Sequence, residues 1–213
     1  GDSVYYSRVV KSKDRKDKLG IFYAVKNEDG WKEAEEITKD FGFSAFHPAA
    51  TTDGRTIYFV ADARVGLGGP DIYIVHKLGD ISWSSPVNAG NQINTPGNEL
   101  YPSVVGDTLY FSSNGHSGLG GQDIFAVKLG SDEMPINLGY PINSSSDDYG
   151  IVFKEDRSNG FVATNRNGSN DIYAFSYSRV TYRVGGTINN PFFANLVGEK
   201  QVYLVEEKSD KIV

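Results

Sequence analysis

Residues 66–78 read G-L-G-G-P-D-I-Y-I-V-H-K-L, and residues 118–129 read G-L-G-G-Q-D-I-F-A-V-K-L. A third copy, residues 168–175, reads G-S-N-D-I-Y-A-F. The aspartates of the three copies, Asp71, Asp123 and Asp171, step by 52 and then 48 residues. A degenerate copy lies at residues 20–26, G-I-F-Y-A-V-K, where Tyr23 set against Tyr73 gives a step of 50. In that alignment Ile21 stands at the aspartate position and a charged loop replaces the glycines.

Working outward, an apolar or aromatic segment precedes each copy, at residues 4–7, 56–60, 108–112 and 160–163. Earlier strands are expected through residues 46–51, 100–105 and 149–154, and a fourth strand near Trp31, Trp83 and Met134. Two polar loops then match, N-A-G-N-Q-I-N-T at 88–95 and N-L-G-Y-P-I-N-S at 137–144. Four short strands in about 50 residues, repeated, predict the blades of a β-propeller. A lone four-stranded sheet cannot bury both faces, whereas radial stacking covers both. That accounts for D-I-Y-I-V and T-I-Y-F-V, which do not alternate polar with apolar. Residues 31–39 have helical composition but are too short and uncapped to read as a helix.

The fold class expected is therefore all-β. Residues 1–179 hold about three and a half propeller blades, fewer than the usual four to eight. The first blade lacks its earliest strand, so the expectation is an incomplete arc of a six-bladed wheel with further blades upstream. A four-bladed closure, or a partner chain over the open edge, are the alternatives. Residues 180–213 carry no D-I-Y copy and read as the N-terminal part of a small β-sandwich.

The repeated Asp71, Asp123 and Asp171 end glycine-rich loops and open strands, where a carboxylate can accept loop N–H groups that no ladder satisfies. Asn114 and Asn165, with Asp62, close the preceding strands in a similar way. Their expected role is architectural; a ligand role is the competing reading.

Composition excludes several classes. The 213 residues carry 21 Lys+Arg against 27 Asp+Glu, a formal charge of −6. Nucleic-acid binding needs clustered positive charge, so no nucleic acid is expected. The absence of cysteine removes disulfides, thiolate metal sites and cysteine nucleophiles. No apolar run approaches the roughly 18 residues of a transmembrane segment. No signal segment begins at Gly1, and any leader or lipid anchor is expected upstream.

Catalytic and metal motifs fail on spacing. Calcium-binding nonapeptide repeats need a period of about nine, and no EF-hand loop, nucleophile elbow, P-loop or dinucleotide fingerprint occurs. His47, His76 and His116 occupy different repeat positions, so no metal site and no cofactor are expected. The adjacent carboxylates Asp147–Asp148 and Glu155–Asp156 point to opposite faces of a strand and form no acid/base pair. Residues 11–18, K-S-K-D-R-K-D-K, read as a solvated loop or an anionic-partner contact. Trp31 and Trp83 follow equivalent strands and either pack between blades or form a contact patch. With Arg64, His116 and Arg166 they make up the candidate binding residues.

The repeat resembles the Asp-containing, WD40-like propeller repeats of the periplasmic TolB-like group. It more closely resembles outer-membrane lipoproteins of the OmpA family in Bacteroidetes, the PorE-like component of type IX secretion among them. Those share a last blade of the form P-I-N-S-x-x-D-D-x-G, then S-N-R and D-I-Y. Residues 141–144, 147–150, 164–166 and 171–173 follow it. A carboxypeptidase-regulatory-like sandwich opening V-x-G-x-[IV] then matches residues 184–188 approximately. The resemblance implies a non-catalytic periplasmic scaffold, associated with the outer membrane, that binds protein partners of the cell envelope. Peptidoglycan would be gripped only by a C-terminal OmpA-like domain absent from these residues. The alternatives are a carbohydrate-binding or hydrolytic propeller with a ligand in its central funnel, and an oligomer completing its wheel between chains.

Overall fold

The structure is a computed structural model that describes residues 3–11, 16–32, 34–79, 82–154 and 158–177. The predicted sandwich at 180–213, residues 12–15 of the charged run at 11–18 and the pair Glu155–Asp156 fall outside the described residues. Every described element is a β-strand, and the strands form four small antiparallel sheets arranged as a β-propeller.

The first sheet contains β1 (Ser3–Val10), β2 (Lys18–Asn27), β3 (Gly30–Trp31) and β4 (Glu35–Glu36), with β3 and β4 both paired to β2. The second runs β5 (Ala45–Ala50), β6 (Thr56–Ala61), β7 (Asp71–His76), β8 (Val87–Asn88). The third runs β9 (Glu99–Val105), β10 (Thr108–Ser113), β11 (Asp123–Lys128), β12 (Ile136–Asn137). The fourth has three described strands, β13 (Asp148–Phe153), β14 (Asn159–Thr164) and β15 (Asp171–Ser176). Strands β5, β9 and β13 pack beside one another and form the inner edge of their sheets.

The fourth strands differ from expectation. Trp31 lies in β3, but Trp83 forms only an isolated bridge to Lys77, and the strand proper is Val87–Asn88. Met134 is likewise outside β12. The second residue of each strand, Asn88 or Asn137, is the first residue of the repeated polar loop, so the sheet is completed where that loop begins.

Register fixes the equivalence of sheets: Ala61↔Asp71, Ser113↔Asp123 and Thr164↔Asp171 pair alike. The alignment of the first sheet shifts by one residue. Ile37 N–H donates to Ile21 O (2.8 Å) as Ala89 N–H donates to Ile72 O (2.9 Å). Ile21 N–H donates to Thr38 Oγ1 as Ile72 N–H donates to Asn94 Oδ1. Ile21 is thus the counterpart of Ile72, and Gly20, not Ile21, holds the aspartate position. Glu36 takes the place of Asn88, and its Oε1 fills the space beside Gly20, 2.7 Å from where a Cβ would sit. The charged partner has moved to the neighbouring strand, which is why matching by residue type slips.

Apolar layers lie between successive sheets. Ile21 of the first meets Phe59, Tyr73 and Val75 of the second. Tyr58 and Ile72 of the second meet Leu109, Phe111 and Phe125 of the third. Ile124 and Tyr110 of the third meet Ile151, Val162 and Tyr173 of the fourth. Each middle strand gives side chains to two layers, which removes the polar alternation of a one-sided sheet.

The glycine-rich loop reaches across this stack. A Cβ on Gly68 would collide with the carbonyl oxygens of Thr95 and Gly97, in the loop that leads to the third sheet. A Cβ on Gly120 would meet Ser144 O and Ser146 O in the same way. Gly68→Ala is expected to lower stability by about 1–3 kcal/mol through forced backbone displacement. Gly42→Ala, with nothing within 4 Å, serves as the reference in urea unfolding.

Candidate functional site

Asp71 and Asp123 anchor a clasp that repeats in the second and third sheets. Asp71 Oδ2 accepts Leu67 N–H (2.5 Å) and Asn88 Nδ2–H (3.0 Å). Asn94 Oδ1 accepts Ile72 N–H, and its Nδ2 donates to Ile72 O, both at 2.8 Å, and to Asn88 Oδ1 at 2.9 Å. The third sheet copies this with Asp123, Asn137 and Asn143: Leu119 N–H meets Asp123, and Asn143 brackets Ile124 at 2.8 Å on both sides. Asn94 and Asn143 are buried. An amide there satisfies the Ile72 or Ile124 N–H and adds a second bond to a carbonyl that already accepts Ala89 or Leu138 N–H.

Asp171 differs. It is exposed and accepts Ser169 Oγ–H (2.7 Å), in a sheet without a described fourth strand. Asn114 Oδ1 accepts Asn98 N–H (2.7 Å) and Asn165 Oδ1 accepts Asp147 N–H (2.8 Å), tying each glycine-rich loop to the approach of its own sheet. Asp62 makes the equivalent tie through its backbone N–H to Ser44 O.

A second buried carboxylate sits five residues beyond the asparagine that ends each clasp, Glu99 after Asn94 and Asp148 after Asn143. Glu99 accepts Thr95 N–H (2.9 Å), Thr95 Oγ1–H and Ser113 Oγ–H (both 2.6 Å). Asp148 accepts Ser144 N–H (2.6 Å) and an Arg166 N–H (2.9 Å). Arg166 also donates to Pro141 O and Ile142 O, and its guanidinium lies 5.3 Å from the Tyr173 ring.

The remaining predicted residues do not converge. Arg64 and His116 lie, like Arg166, on loops joining the second and third strands of their sheets. Arg64 is exposed, whereas the His116 ring packs on Phe111 and Phe125 with Nε2 2.9 Å from Ile93 O. Trp83 packs on the first apolar layer beside Tyr5. Trp31 occupies the equivalent bridge, Lys26↔Trp31 against Lys77↔Trp83, and is exposed. Lys18, closing the charged run, donates to the carbonyls of Thr38, Lys39 and Phe41.

The feature the sequence reading missed is a groove of about 940 Å³ along the inner strands, continuous with the outer face of the fourth sheet. His47 and Tyr101 stack at 4.1 Å, and Tyr149 stands edge-on to Tyr101 at 6.0 Å. Both His47 and Tyr101 have φ of 50°, a left-handed conformation rare for such residues. Burial pushes the His47 pKa down, so the neutral ring is favoured. Burial, then Asp147, pushes the Tyr149 phenol up. The available signal was the aligned pair His47-Pro48 and Tyr101-Pro102 on successive inner strands.

The groove opens on side chains whose counterparts are covered elsewhere. Ile172 is 75% exposed, while its equivalents Ile72 and Ile124 are both 0%. Phe161 is 42% exposed, while Tyr58 is 9%. In the second and third sheets the next sheet covers this face.

No family model matches the sequence, and no curated protein matches it. Among solved structures, TolB from Acinetobacter baumannii aligns with TM-score 0.54 and 17% identity, over 80% of this chain and 37% of that one. A chain of a nidogen/laminin complex aligns with TM-score 0.51 and 13% identity, over 81% and 58%. The tricorn protease aligns with TM-score 0.51 and 13% identity, over 82% and 20%. The chain spans less than two thirds of each of these proteins. At such identities the likeness is one of fold, a TolB-like β-propeller.

Proposed function

We propose that the chain is a non-catalytic protein-binding platform of the bacterial periplasm, part of an outer-membrane-associated lipoprotein of the OmpA family. Service in type IX secretion or envelope assembly belongs to the same reading. The observation that carries it is the aromatic groove of His47, Tyr101 and Tyr149 on the inner strands, whose apolar margin at Phe161 and Ile172 is left exposed by the other described residues. Apolar patches rimmed by polar loops mark partner-binding surfaces. A platform fixed by buried clasps needs little ordering on binding. The fold likeness to TolB and to a chain of a nidogen/laminin complex is compatible with such a role. A hydrolytic site would need carboxylates free to act. Glu99 and Asp148 are instead held by backbone, hydroxyl and guanidinium donors, and Asp71 and Asp123 are buried and held through Oδ2 by loop N–H groups and asparagine amides.

A photo-crosslinking residue at Ile172, introduced in the native host, tests this. One discrete protein adduct is expected from Ile172 and none from the equally exposed Leu78, with the adduct lost on Phe161→Asp. Equal labelling from both positions, or none from either, would overturn the reading.

A further inference from the structure

The crevice between the first and second sheets departs from the repeat in a way the platform role does not use. Lys77 N–H donates to Arg55 O, and Leu129 N–H donates to Asp107 O, both at 2.8 Å, so Arg55 and Lys77 are the counterparts of Asp107 and Leu129. Leu129 packs into the apolar layer of its crevice. Lys77 instead lies 5.4 Å from the ring of Tyr23, which stacks on Tyr5 at 4.9 Å. A polar recess of about 450 Å³ results, lined by Tyr5, Tyr23, Thr52, Asp53, Arg55 and Lys77.

Its charge is only partly cancelled among the described residues, where the cations Arg55 and Lys77 face one carboxylate, Asp53. Asp53 accepts Thr51 Oγ1–H (2.6 Å) and Arg55 N–H (3.0 Å), and these bonds hold its carboxyl below the usual range. The described ion pairs involve Lys11, Lys18 and Arg166, and neither Arg55 nor Lys77. Two cations against one carboxylate leave this recess net positive in a chain whose net charge is −6. Burial, then Tyr23, raises the Tyr5 phenol, which keeps its proton and remains a donor.

We propose that this crevice binds a phosphate monoester, its oxygens held by the Arg55 guanidinium, the Lys77 ammonium and the Tyr5 hydroxyl. A planar fork, a point charge and a hydroxyl suit a tetrahedral oxyanion, whereas a carboxylate is satisfied by the fork alone. The site is separate from the groove on the inner strands, so the two readings fail independently.

The full chain, titrated at low ionic strength and followed by heteronuclear NMR, tests it with inorganic phosphate and glucose 6-phosphate as probes. Saturable shifts are expected at Gly54, Arg55, Lys77 and Gly79. Arg55→Gln and Lys77→Gln should each weaken binding about tenfold, while Lys128→Gln, on the third sheet, leaves it unchanged. Equal affinity for both probes identifies the phosphoryl group alone as the ligand; tighter sugar phosphate binding identifies the ester. No saturable shift overturns the proposal. So does binding that survives the double variant, or acetate binding as well as phosphate.

Discussion

Phe111→Ala is expected to lower stability by about 3–5 kcal/mol, read as a fall in the urea midpoint at unchanged slope. Phe111 is among the largest fully buried side chains and packs in the layer that joins the second and third sheets. Its ring meets Phe125 at 6.0 Å and His116 at 5.9 Å. Truncation leaves a void walled by side chains from two sheets, which cannot close without moving one sheet against the other. Phe161→Ala is the matched comparison. That residue is 42% exposed, so its truncation should lower stability by only about 1–2 kcal/mol. The contrast separates burial between sheets from the intrinsic preference of Phe for strands, which the two positions share.

Arg166→Ala should destabilise by a similar amount, about 3–5 kcal/mol, because it strands the buried Asp148 carboxylate. The Asp148 side chain is fully buried and the guanidinium that meets it is mostly so. The same guanidinium serves Pro141 O and Ile142 O, so three acceptors lose a donor together. Arg166→Lys should recover only part, since an ammonium cannot fork to all three. Adding Asp148→Asn to Arg166→Ala should restore much of the loss by removing the unpaired charge. In the third sheet Ser113 and Thr95 hydroxyls satisfy Glu99 instead, and an arginine-free solution to the same burial problem results.

The wedge repeat was legible because its markers are chemically expensive to replace. Gly68 and Gly120 face backbone oxygens, and Asp71 and Asp123 close loops, so both survive as identical letters. The first sheet was misaligned by one residue because Gly20 and Glu36 exchange the roles held by Asp71 and Asn88, a substitution that preserves space and charge rather than residue type. The polar loops at 88–95 and 137–144 were recognisable as copies, but their purpose was not. Bracketing of Ile72 and Ile124 by Asn94 and Asn143 is a contact across about 20 residues. The groove was hidden for a related reason. His47, Tyr101 and Tyr149 come from three different sheets, and only the axis brings them together. The crevice needed the structure as well, since Arg55 and Lys77 stand out only once Asp107 and Leu129 are known to be their counterparts.

The platform account needs the apolar margin of the groove at Ile172 to be open, as it is among the described residues, where its counterparts Ile72 and Ile124 are buried. The chain has no cysteine, so single thiols placed at Ile72, Ile124 and Ile172 report on these faces without background. The rate of thiol alkylation under native conditions is the measurement. Ile172→Cys should react at nearly the rate of the unfolded chain, and Ile72→Cys and Ile124→Cys more slowly by at least about 100-fold. Equal rates at all three positions would contradict it.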